Sequence, residues 1–184
     1  MIAVAGLLLL GAVFLFSQRK IRAAVKYPDE NLTVTSTAFE NGGNIPKRHT
    51  GRGEDVSPDL SFGPLSKNAQ SVAIVMDDLD HPIGTFNHWV IWNIPASFTS
   101  VPEGVPRDEM VASLGNAVQG RSEYGGKHWY RGPLPPFGTH KYVFRVYVLD
   151  SFLNLEASAN KTALLTAMEG HILQYGTLTG SFGS

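Results

Sequence analysis

The segment "QSVAIVMDDLDHPIGTFNHWVIWNIP", residues 70–95, decides the fold class. Both of its ends, "QSVAIVMD" (70–77) and "HWVIWNIP" (88–95), are apolar runs of strand length that are rich in β-branched and aromatic residues. A third run, "KYVFRVYVLD" (141–150), has the clearest strand pattern in the chain. We therefore predict a β-strand at each of these three places, with carboxylates and imidazoles crowded between the first two.

Shorter strands and one long loop surround these runs. Alternating β-branched residues predict a strand in 32–39, and further short strands are expected at 60–62 and 177–182. The segment 97–140 is irregular and punctuated by Pro and Gly. A loop of this length in a compact domain normally builds a site or covers one.

One soluble helix is predicted, over 160–176. Leucines, methionine and isoleucine form a one-sided apolar stripe there, Asn160 is suited to cap its start, and Gly176 to end it. Since strands dominate and helix is scarce, the pattern indicates a mostly-β sandwich with a peripheral C-terminal helix rather than a βαβ fold.

Composition excludes several function classes. The chain has 184 residues, which suits one globular domain with a short appendage. Its net charge of -1 gives no indication of wholesale nucleic-acid binding. It contains no cysteine, so disulfides, thiolate catalysis and cysteine-ligated zinc are excluded.

The N-terminus is apolar and uncharged through "MIAVAGLLLLGAVFLF" (1–16), and a basic cluster follows it. As a helix, the first 18 residues would span roughly 27 Å, close to the hydrocarbon thickness of a bilayer. Because the basic residues come after the apolar run rather than before it, a retained membrane anchor is favoured over a cleaved export signal or a buried core helix. The basic flank favours a cytoplasmic position for the domain that follows.

We accordingly divide the chain into three parts. Residues 1–18 are a hydrophobic anchor or signal segment, residues 19–30 a basic linker, and residues 31–184 the folded domain. The predicted location is the membrane, with a secreted or periplasmic protein as the alternative if the segment is cleaved.

Five side chains near the predicted strands are the candidate site. Asp78 and Asp80 are two residues apart, so they point the same way in an extended chain. His88 and His140 each open a predicted strand after a polar or Pro/Gly-rich segment, and Tyr142 shares a face with His140. If the strands are neighbours, these side chains converge at one end of a sheet. The plainer alternatives are a solvated turn for the aspartates and satisfied core positions for the histidines.

Strict alternation also assigns His88 a face. It places His88 on the side of Val90 and Trp92, opposite Trp89 and Ile91.

Catalytic interpretations have weaker support. Asp78, His88 and His140 could supply a two-histidine, one-carboxylate metal site, but no HExxH or other compact ligand spacing is present. A GxSxG elbow and phosphate-loop motifs are also absent. The remaining histidines are interpreted as loop, surface or helix residues: His49, His81, His128 and His171.

From about Leu32 to Gly183 the chain resembles the phosphatidylethanolamine-binding proteins, particularly their bacterial and archaeal, Raf kinase inhibitor-like branch. Four stretches match the branch in order: "EDVSPDLSFGPLSKNAQSVAIVMDD", "DLDHPIGTFNHWVIWNIPA", "YRGPLPPFGTHKYVFRVYVLD" and "LLTAMEGHILQYGTLTGSFG". The resemblance implies an antiparallel β-sandwich with a small anion pocket. By position, the ligand-binding residues would be Asp78, Asp80, His88, His140 and Tyr142, walled by Pro135 and Pro136.

The sequence departs from this branch at four positions. Leu79 stands where the family usually has Pro, and His81 where it often has Ala, so a different rim conformation is expected. Gly51 and Leu134 occupy positions that often hold Cys in the branch.

Together, residues and resemblance predict a binding protein rather than an enzyme, with no cofactor. Imidazoles, a phenol and backbone N–H groups can donate to a phosphate, and a carboxylate can accept from a ligand ammonium group. The expected ligand is therefore a phosphate-bearing small molecule or a phospholipid head group, and the resemblance adds regulation of a protein partner. The alternatives are a metal-dependent hydrolase using the same cluster, and a protease or kinase inhibitor presenting the 97–140 loop.

Overall fold

The computed structural model describes residues 29–183, which form two antiparallel sheets and one short α-helix. The smaller sheet has the strand order β1-β2-β5 and the larger one β6-β7-β4-β3-β8-β9. The strands are β1 Thr33–Thr35, β2 Leu60–Gly63, β3 Ser71–Asp78, β4 Phe86–Pro95, β5 Ser100–Val101, β6 Met110–Val111, β7 Ala117–Gln119, β8 Thr139–Leu149 and β9 Ile172–Gly183. The mostly-β, antiparallel prediction is confirmed.

Helical structure is scarce in this part of the chain. The α-helix α1 spans Lys161–Ala167, and two 3₁₀ turns lie at Lys47–His49 and Ala112–Leu114. None of the helices within residues 29–183 is long and apolar enough to cross a bilayer. The predicted anchor (1–18) and almost all of the basic linker (19–30) lie outside the described residues, so both stay predictions.

The three apolar runs of the sequence are the centre of the large sheet. All eight residues of β3 are buried, between β4 on one side and β8 on the other. One core cluster fills the space between the two sheets and contains Leu60 of β2 and Ile74 of β3. A second cluster lies on the opposite face and joins Val75 of β3 to Leu164 of α1. Burial on both faces explains why these strands are continuously apolar instead of alternating.

The helix prediction over 160–176 is correct at its start and wrong at its end. The Asn160 side chain accepts a hydrogen bond from the backbone N–H of Ala163 at 3.1 Å, as expected of an N-cap. The helix stops at Ala167, however, and residues from Ile172 onward form β9. The residues from Ile172 onward pair with β8 instead, and this tertiary pairing overrides the local apolar stripe.

Gly176, predicted as the helix stop, lies inside β9. A β-carbon at this position would lie 2.1 Å from the carbonyl oxygen of Leu32, whose N–H donates to the carbonyl of Tyr175. The glycine is thus needed because the first described segment of the chain crosses directly over β9.

Candidate functional site

A buried carboxylate–imidazole pair lies where β3 ends and β8 begins. Asp78 is the last residue of β3 and pairs with Tyr142 of β8, two residues after His140. The Nδ1 atom of His140 donates to Oδ2 of Asp78 at 2.7 Å. Both side chains are buried, so the hydrogen bond is shielded from water and holds the ring in one orientation.

The second carboxylate, Asp80, connects the ends of β3 and β8 at the rim of this site. Its backbone N–H donates to the other oxygen of Asp78 at 2.8 Å, and its own Oδ2 accepts from the backbone N–H of Lys141 at 2.8 Å. Asp80 is exposed. Asp80 is therefore a solvated turn residue, the plainer alternative for the two aspartates. Asp78 instead faces inward to His140.

Tyr142 lies next to both imidazoles. Its ring stacks at 6.4 Å from that of His140 and meets the His88 ring edge-on at 5.4 Å. It is fully buried, and its hydroxyl has no hydrogen-bond partner within the described residues. Burial, reinforced by the charge of Asp78, raises the pKa of Tyr142, so the phenol stays protonated and can donate to a ligand.

His88 enters from the neighbouring strand β4. Its Nδ1 atom donates to the backbone carbonyl of Arg131 at 2.8 Å. Burial lowers the pKa of His88, and the Arg131 carbonyl and the charge of Asp78 oppose this only in part. The ring is consequently neutral near pH 7, with its proton on Nδ1 and an open acceptor at Nε2.

The face predicted for His88 is wrong. Its ring contacts Tyr142 of the core between the sheets, whereas Val90 and Trp92 belong to the cluster on the helix side. The cause is a register shift: Met76 pairs with Trp89 but Asp77 with Asn87, which leaves His88 as the extra residue of a β-bulge. The bulge reverses the alternation and turns the imidazole toward Asp78, His140 and Tyr142.

Strands β4 and β8 also begin earlier than expected, at Phe86 and Thr139.

Pro135 and Pro136 lie in the segment that leads into β8, the first buried and the second exposed. The guanidinium of Arg52 donates to the carbonyl of Pro135 at 3.1 Å and lies 5.9 Å over the ring of Phe182. These contacts fix the segment, while the role of the two prolines as pocket walls stays a prediction.

The convergence of Asp78, His88, His140 and Tyr142 on one sheet end is accompanied by a match along the sequence. The family model described as phosphatidylethanolamine-binding protein covers residues 35–183. The chain belongs to this family.

Its relatives include proteins of archaea and bacteria named only as UPF0098 proteins. The one from Pyrococcus abyssi is 44% identical over 155 residues, which cover 83% of this chain and 86% of that protein. The one from Methanothermobacter thermautotrophicus is 42% identical over 151 residues, 82% of this chain and 98% of that protein.

Two solved structures share the fold. A putative phosphatidylethanolamine-binding protein homologue from Chlamydia trachomatis superposes with a TM-score of 0.76 at 32% identity, covering 85% of this chain and 99% of that one. YbcL of E. coli, described as a member of the mammalian family, gives a TM-score of 0.76 at 25% identity over 83% and 98% of the two chains.

Several residues around the site of this phosphatidylethanolamine-binding protein family member were missed by sequence reasoning. Asp55 accepts from Arg131 Nη1 and from the Gly132 N–H, both at 2.7 Å, and so fixes the carbonyl that orients His88. The Arg131 guanidinium lies 4.9 Å over the Tyr124 ring, which in turn lies 5.8 Å from the His88 ring. Asp55 has a positive φ of 59°. Nothing in the sequence around Asp55 indicates that it orients the His88 ring, which is distant in sequence.

The loop after β3 adds a second aromatic layer to the site. His81, interpreted as a loop residue, stacks on Phe86 at 4.5 Å, and Phe86 meets the His88 ring edge-on at 5.5 Å.

The predicted two-histidine, one-carboxylate metal site finds no support in the described part of the chain, where no group of three or more His, Cys, Asp or Glu is arranged to hold a metal ion.

Proposed function

We propose that this family member is a non-enzymatic binding protein whose pocket takes a phosphate-bearing ligand. The observation that supports it is the buried Asp78–His140 pair beside His88 and the Tyr142 hydroxyl, which has no hydrogen-bond partner among the described residues. Buried polar groups without partners are rare in folded proteins, and a ligand is one way to satisfy them.

The mixture of donors and acceptors favours a zwitterion over a bare anion. The Tyr142 hydroxyl donates to a phosphate oxygen, whereas neutral His88 accepts from a protonated phosphate oxygen or an ammonium group. Asp80 at the rim adds a negative charge near any ligand ammonium. Phosphoethanolamine, free or as a lipid head group, carries both features.

Apolar side chains around the pocket favour the lipid as the source. Leu79 and Ile83 in the loop after β3 and Leu134 and Phe137 before β8 are exposed, Ile83 to 85% of its surface. The loop after β3 lies beside the start of β8, because the Leu79 N–H donates to the carbonyl of Lys141. Together with the predicted N-terminal anchor, these side chains support a location at a membrane, where the domain could reach head groups.

Titration calorimetry tests the proposal. The full-length chain in non-ionic detergent is titrated with phosphoethanolamine, inorganic phosphate and ethanolamine, and with micelle-embedded phosphatidylethanolamine to separate lipid from free ligand. His140→Ala is expected to abolish phosphoethanolamine binding. His171→Ala is the matched control, because His171 forms an equally short bond of 2.7 Å with Asp150 but is exposed. Binding that survives His140→Ala and His88→Ala unchanged overturns the proposed site.

Regulation of a protein partner, as a kinase or protease inhibitor, ranks below ligand binding, since the 97–140 segment does not project as one presented loop. It includes β5, β6, β7 and a 3₁₀ turn, and it packs through Val111, Leu114 and Ala117 into the core.

A further inference from the structure

A cleft lies away from the proposed histidine site, against the helix side of the large sheet. Its volume is about 430 Å³, within the range of small-molecule sites. Its lining contains only polar residues and one glycine: Asn87, Arg121, Ser122, Glu123, Gly126, Ser158, Asn160, Lys161 and Thr162. A lining without apolar side chains disfavours an apolar ligand and indicates a highly polar one.

Positive charge outweighs negative charge around this cleft. Lys161 and Arg145 both contact Oδ2 of the buried Asp77, at 2.8 and 2.5 Å, so two cations share one carboxylate. Arg121 adds a third cation, and no carboxylate within the described residues forms an ion pair with it. Glu123 supplies the only carboxylate of the lining. The cleft can therefore accept an anionic group.

The guanidinium of Arg121 is held in place against the backbone of Gly126. A β-carbon at Gly126 would lie 3.0 Å from its Nη2 atom, so the arginine rests on the bare backbone of a glycine whose φ is +67°. The backbone N–H of Arg121 donates to the carbonyl of Ala159 at 2.8 Å, which fixes the strand-like segment that carries it.

Two buried oxygen atoms of the lining have no partner among the described residues. One is Oγ of Ser122 and the other is Oδ1 of Asn87. The Asn87 amide nitrogen faces three acceptors, the carbonyls of Met76 and Trp89 and Oδ1 of Asp77, which settles the orientation of the amide. Its oxygen can only accept a hydrogen bond, so a bare anion cannot satisfy it, whereas a ligand hydroxyl can.

We infer that this cleft binds a small anion that also carries hydroxyl groups, as sugar acids and sugar phosphates do. Arg121 and Lys161 bind the anionic group, and Asn87 and Ser122 in the floor bind hydroxyls. The site is separate from the histidine pocket and is made by different side chains.

Calorimetry on the full-length chain in detergent tests this with gluconate and glucose 6-phosphate as probes. Acetate, inorganic phosphate and sorbitol provide the charge or the hydroxyls alone and are expected to bind at least about tenfold more weakly. Arg121→Gln is expected to weaken gluconate binding by about tenfold or more. Lys67→Gln changes an exposed charge in the turn before β3, away from the cleft, so it is the matched control and should bind as the wild type.

Two further variants make the result decisive. Ser158→Leu changes an exposed residue and fills the cleft, so it should reduce binding without lowering the thermal midpoint. His140→Ala should leave gluconate binding unchanged. The inference is overturned if neither probe binds, if Arg121→Gln and Ser158→Leu both bind normally, or if His140→Ala alone loses the probes, since the ligand then occupies the histidine pocket.

Discussion

Asp78 and His140, 62 positions apart in the chain, form a buried ion-pair geometry with an Nδ1–Oδ2 distance of 2.7 Å. A bond of this kind, shielded from water on adjacent strands, supports the sheet end and holds the imidazole of the proposed ligand site in place. Removing the carboxylate leaves the imidazole without its acceptor in a place that water does not reach.

Asp78→Asn tests the contribution of this bond to stability. The substitution keeps the shape but loses the charge, and we expect the free energy of unfolding to fall by about 1–3 kcal/mol. Urea denaturation followed by circular dichroism measures it. Asp150→Asn, in the exposed pair with His171, should change stability by less than about 1 kcal/mol. Equal losses in the two variants would contradict the importance of the buried pair.

Tyr142→Phe separates stability from binding. The hydroxyl is buried without a partner among the described residues, so its removal is expected to leave the unfolding free energy unchanged or to raise it by about 1 kcal/mol. Phosphoethanolamine affinity should fall in the same variant, because the donor to the phosphate is lost. A variant that loses stability but keeps its affinity would show that the hydroxyl serves the fold.

His88 should make stability depend on pH. Burial lowers the pKa of folded His88 below its unfolded value of about 6.5, so the unfolded chain binds more protons at mildly acidic pH. Stability is therefore expected to fall as the pH drops from about 6.5 toward the folded pKa, and to level off below it. Other histidines also titrate, so the measured quantity is the difference between wild type and His88→Gln in urea denaturation at several pH values. Identical pH slopes in the two proteins would refute the lowered pKa.

Asp77 is a buried carboxylate with several polar partners. It is fully buried and contacts Arg145, Lys161 and the amide of Asn87. Asp77→Ala leaves two neighbouring cations without a counter-ion, and we expect a loss of about 3–5 kcal/mol in unfolding free energy. Replacing Lys161 by Met in the same chain should restore part of this loss, because it removes one of the unpaired charges. A cost below 1 kcal/mol would mean that water enters the cluster freely.

Gly51 and Leu134, far apart in the chain, lie in contact in the structure. A β-carbon on Gly51 would lie 3.1 Å from the β-carbon of Leu134, against about 3.8 Å in a disulfide, so a shift of a few tenths of an ångström suffices. Gly51→Cys with Leu134→Cys should form a disulfide that closes a loop of roughly 80 residues and stabilises by about 2–4 kcal/mol. Thermal unfolding with and without reductant measures the gain. Failure to oxidise would contradict the proximity of the two positions.

The central strands and the closeness of Asp78, His88, His140 and Tyr142 at one sheet end were predictable from sequence because they follow local patterns. β3, β4 and β8 bury both faces and are continuously apolar, and the aspartates and histidines stand at their ends. The end of α1 was not predictable, since the pairing of β9 with β8 decides it. The face of His88 depends on a bulge, and its orientation on Asp55 acting through Arg131, both of which are tertiary effects.

The β-bulge at His88 and the fixed length of β3 also decide which counter-ion each of two consecutive aspartates receives. Asp77 and Asp78 project to opposite sides of the sheet, one toward an arginine and a lysine, the other toward an imidazole. Inserting or deleting a single residue in β3 would exchange the surroundings of Asp77 and Asp78. It would leave the arginine and the lysine without a counter-ion. Homologues are therefore expected to vary this strand by substitution but not by length.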